Sequence, residues 1–344
     1  MHVAVVYNRD RKGTINVFGM QNKEWYPEET IQKVVKALEA GGYTVELIPA
    51  DRHLLAKLNK FLPRLSKRRP NGIVLNLALG VQGKCRYTHV PSLLELAGIP
   101  YTGSNPMGHS LAQDKVVTKQ IIMASNLPTP NYRVYMEPEL DAPYLKYPVI
   151  VKPRGEAASF GLKIVHDDES LKEAILELFE EYKQPALAEE FIDGREVNVS
   201  VLGNNPPQVL PVLELVLSKE CQGVYSHDVK FKRTLKKKVK MVCPAELPPE
   251  TAAYLQKLAV RTFEVLNIYD FGRVDFRLDK YHQPYILEMN SMASINPGSS
   301  FVRAAMIAGI SYDQLINRII EVAVDRYAKE EPDFFKAINN TNKR

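Results

Sequence analysis

The chain has 344 residues, 45% hydrophobic and 25% charged, which leaves room for two or three domains with sizeable cores and describes an ordinary globular protein. No apolar run reaches the roughly 18–20 residues of a membrane span. The N-terminus MHVAVVYNRD lacks the basic start and long apolar core of a signal peptide, and Cys85, Cys221 and Cys243 form no CxxC pair, so a cytoplasmic protein without a disulfide framework or zinc site is expected. The net charge of +5 is local: Lys230, Lys232, Arg233, Lys236, Lys237, Lys238 and Lys240 lie in one run, and without them the balance turns negative. That pattern points to one anionic ligand or a solvated loop rather than to a nucleic-acid surface.

In chain order, the apolar, β-branched run His2–Tyr7 predicts a first strand. A polar, irregular segment follows. Pro27-Glu28-Glu29 then opens an amphipathic helix with Ile31, Val34, Val35 and Leu38 on one face, stopped by Gly41-Gly42. Tyr43–Ile48 reads as a strand, His53–Leu65 as a helix, Gly72–Leu77 as a buried strand, and His89–Ala97 and Asn105–Ser125 as helices. This β-α-β-α-β order predicts a parallel sheet with helices on both faces. Neither G-x-G-x-x-G nor G-x-x-x-x-G-K-[ST] is present, so a dinucleotide fold or a P-loop is not supported.

A second unit begins near Asp114. Leu127–Pro130 predicts a turn and Tyr147–Lys152 a strand. The small-residue loop Gly155–Gly161 leads to a return strand, Leu162–Val165, a geometry that can lay backbone N–H groups around phosphates but that many hairpins share. Ser170–Tyr182 reads as a helix and Ala186–Glu190 as a strand. Glu196–Leu202 and Val209–Val216 read as an antiparallel pair around the turn GNNPP. A third unit holds the basic run as a loop, a helix over Pro249–Leu266, a hairpin and a helix over Ser311–Tyr327. The charged last residues read as a loosely held tail.

The hairpin carries the chemistry. Its strands are Arg273–Leu278 and Pro284–Glu288, joined by the turn-prone 279–283 segment. Alternation places Asp275 on one strand and Glu288 on the other, with Asn290 on the same side as Glu288. Carboxylates with an amide oxygen suit a hard cation such as Mg²⁺. Each of these side chains, taken alone, also suits a solvated strand face; the combination Arg-x-Asp then Glu-x-Asn is what points to a cation.

The stretches LLELAGIPYTGS (93–104), LAQDKVVTK (111–119), YPVIVKP (147–153), ALAEEFIDGREVNVSVLG (186–203), CPAELP (243–248) and GRVDFRLD…YILEMN (272–290) occur in this order. Through them the chain resembles the D-alanine–D-alanine ligase family of the ATP-grasp superfamily along nearly its whole length. The resemblance implies an α/β (α+β) ATP-grasp fold of three domains. An N-terminal parallel α/β domain (1–113) precedes two antiparallel-sheet α+β domains (114–190 and 191–328) that enclose ATP, and 329–344 form a tail. It implies an ATP-dependent carboxylate–amine ligase working through an acyl phosphate. D-alanine–D-alanine ligation itself and a non-catalytic ATP-binding interaction protein are the alternatives.

By matching position, the resemblance places Lys115 and Lys152 near the ATP phosphates and purine, with Ser159 in the phosphate loop. Glu189, Glu190, Phe191 and Ile192 line the adenine pocket, and Glu196 takes the ribose hydroxyls. Lys230 matches the mobile-loop lysine over the γ-phosphate. Asp275, Glu288 and Asn290 match ligands of Mg²⁺, two ions in the family, with Mn²⁺ an acceptable substitute. Arg273 matches the arginine that stabilises the tetrahedral intermediate, Ser294 the oxyanion-hole position and Ser299 the second substrate's carboxylate site. The implied partners are small amino-acid-like substrates, with no nucleic acid and no membrane. A homodimer through the N-terminal domain is an option the family offers.

The departures cluster at the substrate. The family's Gly-Gly-x-Ser-x-Glu-His segment after strand one is replaced by Tyr7–Lys12, without its glutamate. Phe231 stands where the family has a tyrosine, Ala158 where it has a serine, and Ser294 where it has a glycine. The acidic segment before the LLE helix becomes Gly80–Pro91, where Lys84 and Arg86 are candidates for a substrate carboxylate. Nucleotide and metal residues match; amino-acid-binding residues do not.

Overall fold

The β-branched runs near the N-terminus pair as a parallel sheet, as their order predicts. β1 (His2–Tyr7) lies between β2 (Thr44–Pro49) and β5 (Gly72–Asn76), parallel to both. The computed structural model describes residues 1–8, 25–65, 69–80, 85–138, 145–156, 159–221, 223–224 and 238–330. Helix α1 (Glu28–Ala40) buries Ile31, Val34 and Leu38 on one sheet face, against Val3, Val5 and Leu75. On the other face α2 (Leu54–Phe61) and α3 (His89–Ala97) set Leu54, Leu58 and Leu94 against Ala4, Val6 and Val74. Each such fully buried aliphatic side chain contributes about 1.5–3 kcal/mol. Helix α2 stops four residues short of the sequence expectation. Pro63 cannot continue it, and the chain turns into the short ribbon β3 (Arg64–Leu65) and β4 (Arg69–Pro70).

The predicted helix over 105–125 is two helices. Asn105 caps α4 (Pro106–Gln113) by accepting from the Gly108 N–H at 2.9 Å. The chain then breaks at Asp114, whose extended backbone lets its carboxylate accept from the Val116 and Val117 N–H groups and start α5 (Lys115–Ala124). A capping aspartate inside an apolar period interrupts a helix that hydrophobicity alone would join.

A second, antiparallel sheet has the order β6 (Tyr132–Tyr135), β9 (Ala186–Glu190), β7 (Val149–Pro153), β8 (Lys163–Val165), backed by α6 (Asp168–Tyr182). Strand β6 carries no alternating pattern, and the sequence reading has no strand there. In the turn between β7 and β8, Gly161 has φ +68°, and a Cβ there would come within 3 Å of Pro153 and Leu178.

A third sheet runs β13 (Val239–Val242), β12 (Leu213–Leu217), β10 (Arg195–Leu202), β14 (Phe271–Leu278), β15 (Pro284–Asn290), with β11 (Gln208–Val209) pairing β10. Strand β13 corrects the reading of the basic run as one loop: Lys240 lies on a strand paired with β12. Helix α7 (Pro249–Val265) covers one face, through Leu255, Leu258 and Phe263 on Val197, Val274 and Ile286.

Two final helices, α8 (Ser300–Ile307) and α9 (Tyr312–Glu330), return to the first sheet. Phe301, Leu315, Ile316 and Ile319 share the core of α1 and β1. A buried ion pair locks this return. Arg326 donates to both Asp270 carboxylate oxygens at 3.0 Å, and Asp270 also accepts from the Gly103 N–H at 2.8 Å. Removing one partner of such a pair leaves an uncompensated buried charge. The junction fixes where β14 begins, and so where its polar residues point. No helix among the described residues is long and apolar enough to cross a membrane.

Candidate active site

The cleft lies between the second and third sheets, lined by residues from both, including Lys115, Lys152, Glu189, Glu196, Asp275 and Glu288. On its first wall Glu189 of β9, 2% exposed, sits between two lysines. Lys152 of β7 donates to its Oε1 at 2.5 Å, and Lys119 of α5 stands 2.8 Å from its Oε2. Burial would push the Glu189 carboxyl up, but the two ammonium groups outweigh it and hold the carboxyl at about 2. Lys119 is fully buried, which lowers its own pKa, and it donates to the Thr129 hydroxyl at 2.7 Å. Lys115, first residue of α5, donates to the Glu156 carbonyl; desolvation lowers its pKa while Glu288 opposes the shift. Two lysines on one buried carboxylate, with Lys115 lining the same cleft, leave this wall positive and suited to a polyanion.

The second wall is the β10–β14–β15 face. Asp275 lies directly opposite Glu288, and Arg273 opposite Asn290, with a bulge between Asp275 and Phe276. Arg273 grips Asp275 bidentately at 2.6 and 2.7 Å, and the Asn290 amide donates to Asp275 at 3.0 Å. The Asp275 side chain keeps 17% of its surface, facing the cleft. No cluster of three His, Cys, Asp or Glu forms among the described residues. The oxygen set is two carboxylates and an amide.

Two buried residues, one in this wall and one behind it on α4, carry no signal in the sequence. Arg277, 3% exposed, donates to the Gly223 and Gly194 carbonyls at 2.7 and 3.0 Å, lies 3.4 Å from Glu196, and places its guanidinium 4.7 Å over the Phe191 ring. It thereby fixes two of the predicted nucleotide residues. His109 is buried against Ser291, Nδ1 to Oγ 2.9 Å, and burial lowers its pKa to about 3. An arginine on a strand and a histidine in a helix are unremarkable as letters; only their burial singles them out.

Of the other predicted residues, Ser159 lines the cleft with a positive φ of 59°. Glu190 does not join Glu189. Strand alternation turns its carboxylate to the other face, where it accepts from the Asn131 amide and the Lys146 N–H, both at 3.0 Å. Ile192 follows Phe191, whose N–H donates to the Pro148 carbonyl. Lys230, Phe231, Ala158 and Lys84 lie outside the described residues. Lys238, at the end of the basic run, pairs with exposed Glu220.

Beside the cleft, the 294–299 turn carries hydroxyls and amides and no charged side chain. The Ser299 hydroxyl donates to the Ser294 carbonyl at 2.5 Å and accepts from Val302 as the cap of α8. Asn296 donates to the Ser294 hydroxyl and accepts from Thr30 of α1 at 2.8 Å. Tyr26 accepts from the Ile295 N–H. The N-terminal unit thus clasps the 294–299 turn. After β1, Asn8 accepts from the Leu79 N–H at 2.8 Å and so holds the start of the loop leading to Arg86. Arg86 is buried, its guanidinium 5.2 Å from the Tyr87 ring centre.

Comparison with known proteins identifies the family. The family model described as "D-ala D-ala ligase C-terminus" matches residues 133–321. The uncharacterized protein y4sG of Sinorhizobium fredii is 41% identical, over 95% of this chain and 98% of its own. The D-alanine–D-alanine ligase of Carboxydothermus hydrogenoformans is 32% identical, over 89% of this chain and 96% of its own. In structure, the D-alanine–D-alanine ligase from Bacillus anthracis complexed with ATP superposes with a TM-score of 0.74, covering 96% of this chain and 99% of that one at 21% identity, which speaks for the fold. Matched over more than half its length by the family model and over most of it by relatives above 30% identity, the chain belongs to the D-alanine–D-alanine ligase family of ATP-grasp ligases.

Proposed function

We propose that this chain ligates two amino-acid-like acids, with ATP converting the carboxylate of the first into an acyl phosphate that an amine of the second attacks. The observation that carries the reading is the pairing of a positive wall around Glu189 with the oxygen-rich hairpin bearing Asp275 and Glu288. The first substrate's carboxylate oxygen takes the γ-phosphoryl group and ADP leaves. The amine nitrogen then bonds to the acyl carbon, the C–O bond to phosphate breaks, and the amine gives up its proton. Lys115 and Lys152 hold the phosphates, and Glu196, kept in place by Arg277, meets the ribose. Lys230, by its position in the basic run, covers the transferring group. Arg273, a planar fork beside Asp275, stabilises the oxyanion. Asp275, Glu288 and the Asn290 oxygen are hard donors that fit Mg²⁺, which when bound neutralises charge developing on the phosphates.

The three sheets support a division into domains at 113/114 and 190/191, with the last two helices serving the first domain's core. The first substrate differs from D-alanine in this reading, because the family's glutamate, serine and tyrosine positions are all changed. The Ser294–Ser299 turn offers hydroxyls and backbone in place of a charged clamp. Release of ADP and phosphate, measured while pairs of amino acids are screened, tests the ligase. Turnover with D-alanine alone would replace the altered-substrate reading by D-alanine–D-alanine ligation. ATP binding without turnover on any acid and amine would count against ligation.

A further inference from the structure

Strand β10 crosses the floor of the cleft. Its register with β14 sets Asn198 opposite Asp275, and the register of β14 with β15 sets Asp275 opposite Glu288. Three oxygen-bearing side chains therefore form one row across three adjacent strands, each about 5 Å from the next. The row begins with a carboxamide that lies inside the family-matched stretch 186–203 but has no role assigned to it. Asn198 is 3% exposed, it lines the cleft, and its Oδ1 is buried with no hydrogen-bond partner among the described residues. Its neighbour on the far side, Leu213, offers no polar side chain. Burying an acceptor without a partner is costly, and the cost recurs for as long as the cleft lacks a donor at that point. Ser200, one row along and opposite Arg273, also has a buried hydroxyl without a partner, but it does not line the cleft.

Resting on the ligase reading, we propose that Asn198 completes the divalent-cation site, its Oδ1 accepting a hydrogen bond from a water molecule bound to the cation that Asp275 and Glu288 hold. The row supplies the geometry: two carboxylates take the ion, and the amide oxygen at the row's end orients the hydrated side of its shell. Cation-bound water is a strong donor, and an oriented acceptor beside it raises affinity and fixes the shell. Asn198 is thus a positioning residue, acting on the ion rather than on substrate.

The test is Mn²⁺ titration of the full chain with ADP, followed by electron paramagnetic resonance, with ADP affinity measured separately without metal. Asn198→Leu keeps the volume and removes the acceptor. It should weaken Mn²⁺ about 10–100-fold, the usual loss for an outer-shell partner, and leave metal-free ADP affinity within about twofold. Asn198→Asp keeps an acceptor at the same place and should bind Mn²⁺ at least as tightly as the wild type. It also serves if the leucine variant does not fold, since weaker Mn²⁺ binding by the aspartate variant would overturn the proposal. Wild-type Mn²⁺ affinity in Asn198→Leu would overturn it too, leaving the amide to a structural water. If the wild-type chain binds no Mn²⁺ with ADP, the cation site itself fails, a result distinct from failure of Asn198 alone.

Discussion

The walls of the cleft and the turn beside it are built from different materials. The cleft walls are a set of buried and half-buried charges, each fixed by another: Glu189 by Lys119 and Lys152, Asp275 by Arg273, Glu196 by Arg277. The 294–299 turn beside the cleft is built from uncharged groups, Ser294, Asn296, Ser299, Thr30 and backbone. Buried charges are costly unless paired, so their partners are specified strongly and few residue types will serve. Hydroxyls and amides exchange partners cheaply. One region can therefore keep a reaction while the other changes what it acts on.

The comparison breaks most readily at the hairpin. Glu288→Ala removes one of the two facing carboxylates and should reduce kcat by about 10³-fold or more, because several kcal/mol of charge stabilisation depend on the ion. Circular dichroism should show an intact fold. Near-normal turnover in that variant would remove the cation assignment.

Stability tests the first wall. Glu189→Gln strands the fully buried Lys119 without a counter-charge and should cost about 3–5 kcal/mol in urea unfolding. Lys152→Met should cost less, since Glu189 keeps Lys119 2.8 Å away. Equal losses would mean that the three groups do not act as a charge cluster. Because the folded Glu189 carboxyl sits at about 2, below its unfolded value near 4.5, its contribution is complete above pH 4.5 and is lost as the pH falls toward 2.

His109 gives a second pH window. Burial lowers it to about 3 from an unfolded value of 6.5, so between those limits the unfolded chain binds the extra proton. Its share of stability is whole above pH 6.5 and declines as the pH drops toward 3, by an amount on the order of a few kcal/mol. Denaturant titrations from pH 7 to pH 4 should be flatter for His109→Gln than for the wild type. Parallel curves would contradict the buried neutral histidine.

The smallest effect belongs to the uncharged turn. Ser299→Ala removes the cap of α8 and the bond to the Ser294 carbonyl, for about 1 kcal/mol. Kinetically it should raise KM for the amine substrate several-fold and leave KM for ATP unchanged. A matching rise in both would place Ser299 in the scaffold of the whole cleft rather than at its substrate end.

The same contrast explains what the sequence made legible. Asp275, Glu288 and Asn290 were readable because strand alternation converts spacing into facing directly, and the register agrees. The parallel first sheet was readable from three β-branched runs separated by helical periods. Lys119, Arg277 and Asn198 were not, since a letter does not reveal that its side chain is buried without exposure or without a partner. The opposite facing of the Glu190 carboxylate follows from the same alternation, because neighbours on a strand point to opposite faces. The split of 105–125 into two helices turned on the capping geometry of Asp114, which competes locally with a hydrophobic period that continues through it. The return of α9 to the N-terminal core depends on the Asp270–Arg326 pair, 56 residues apart, which no local pattern announces.

The proposed ligation runs through activation of a carboxylate by ATP as an acyl phosphate. The most direct measurement uses an acid substrate labelled with ¹⁸O in its carboxylate and follows the label by mass spectrometry of the released phosphate. Acyl-phosphate chemistry carries one carboxylate oxygen into the phosphate as the amide forms, so labelled phosphate should accumulate in step with ligated product. Unlabelled phosphate accompanying that product would contradict the account.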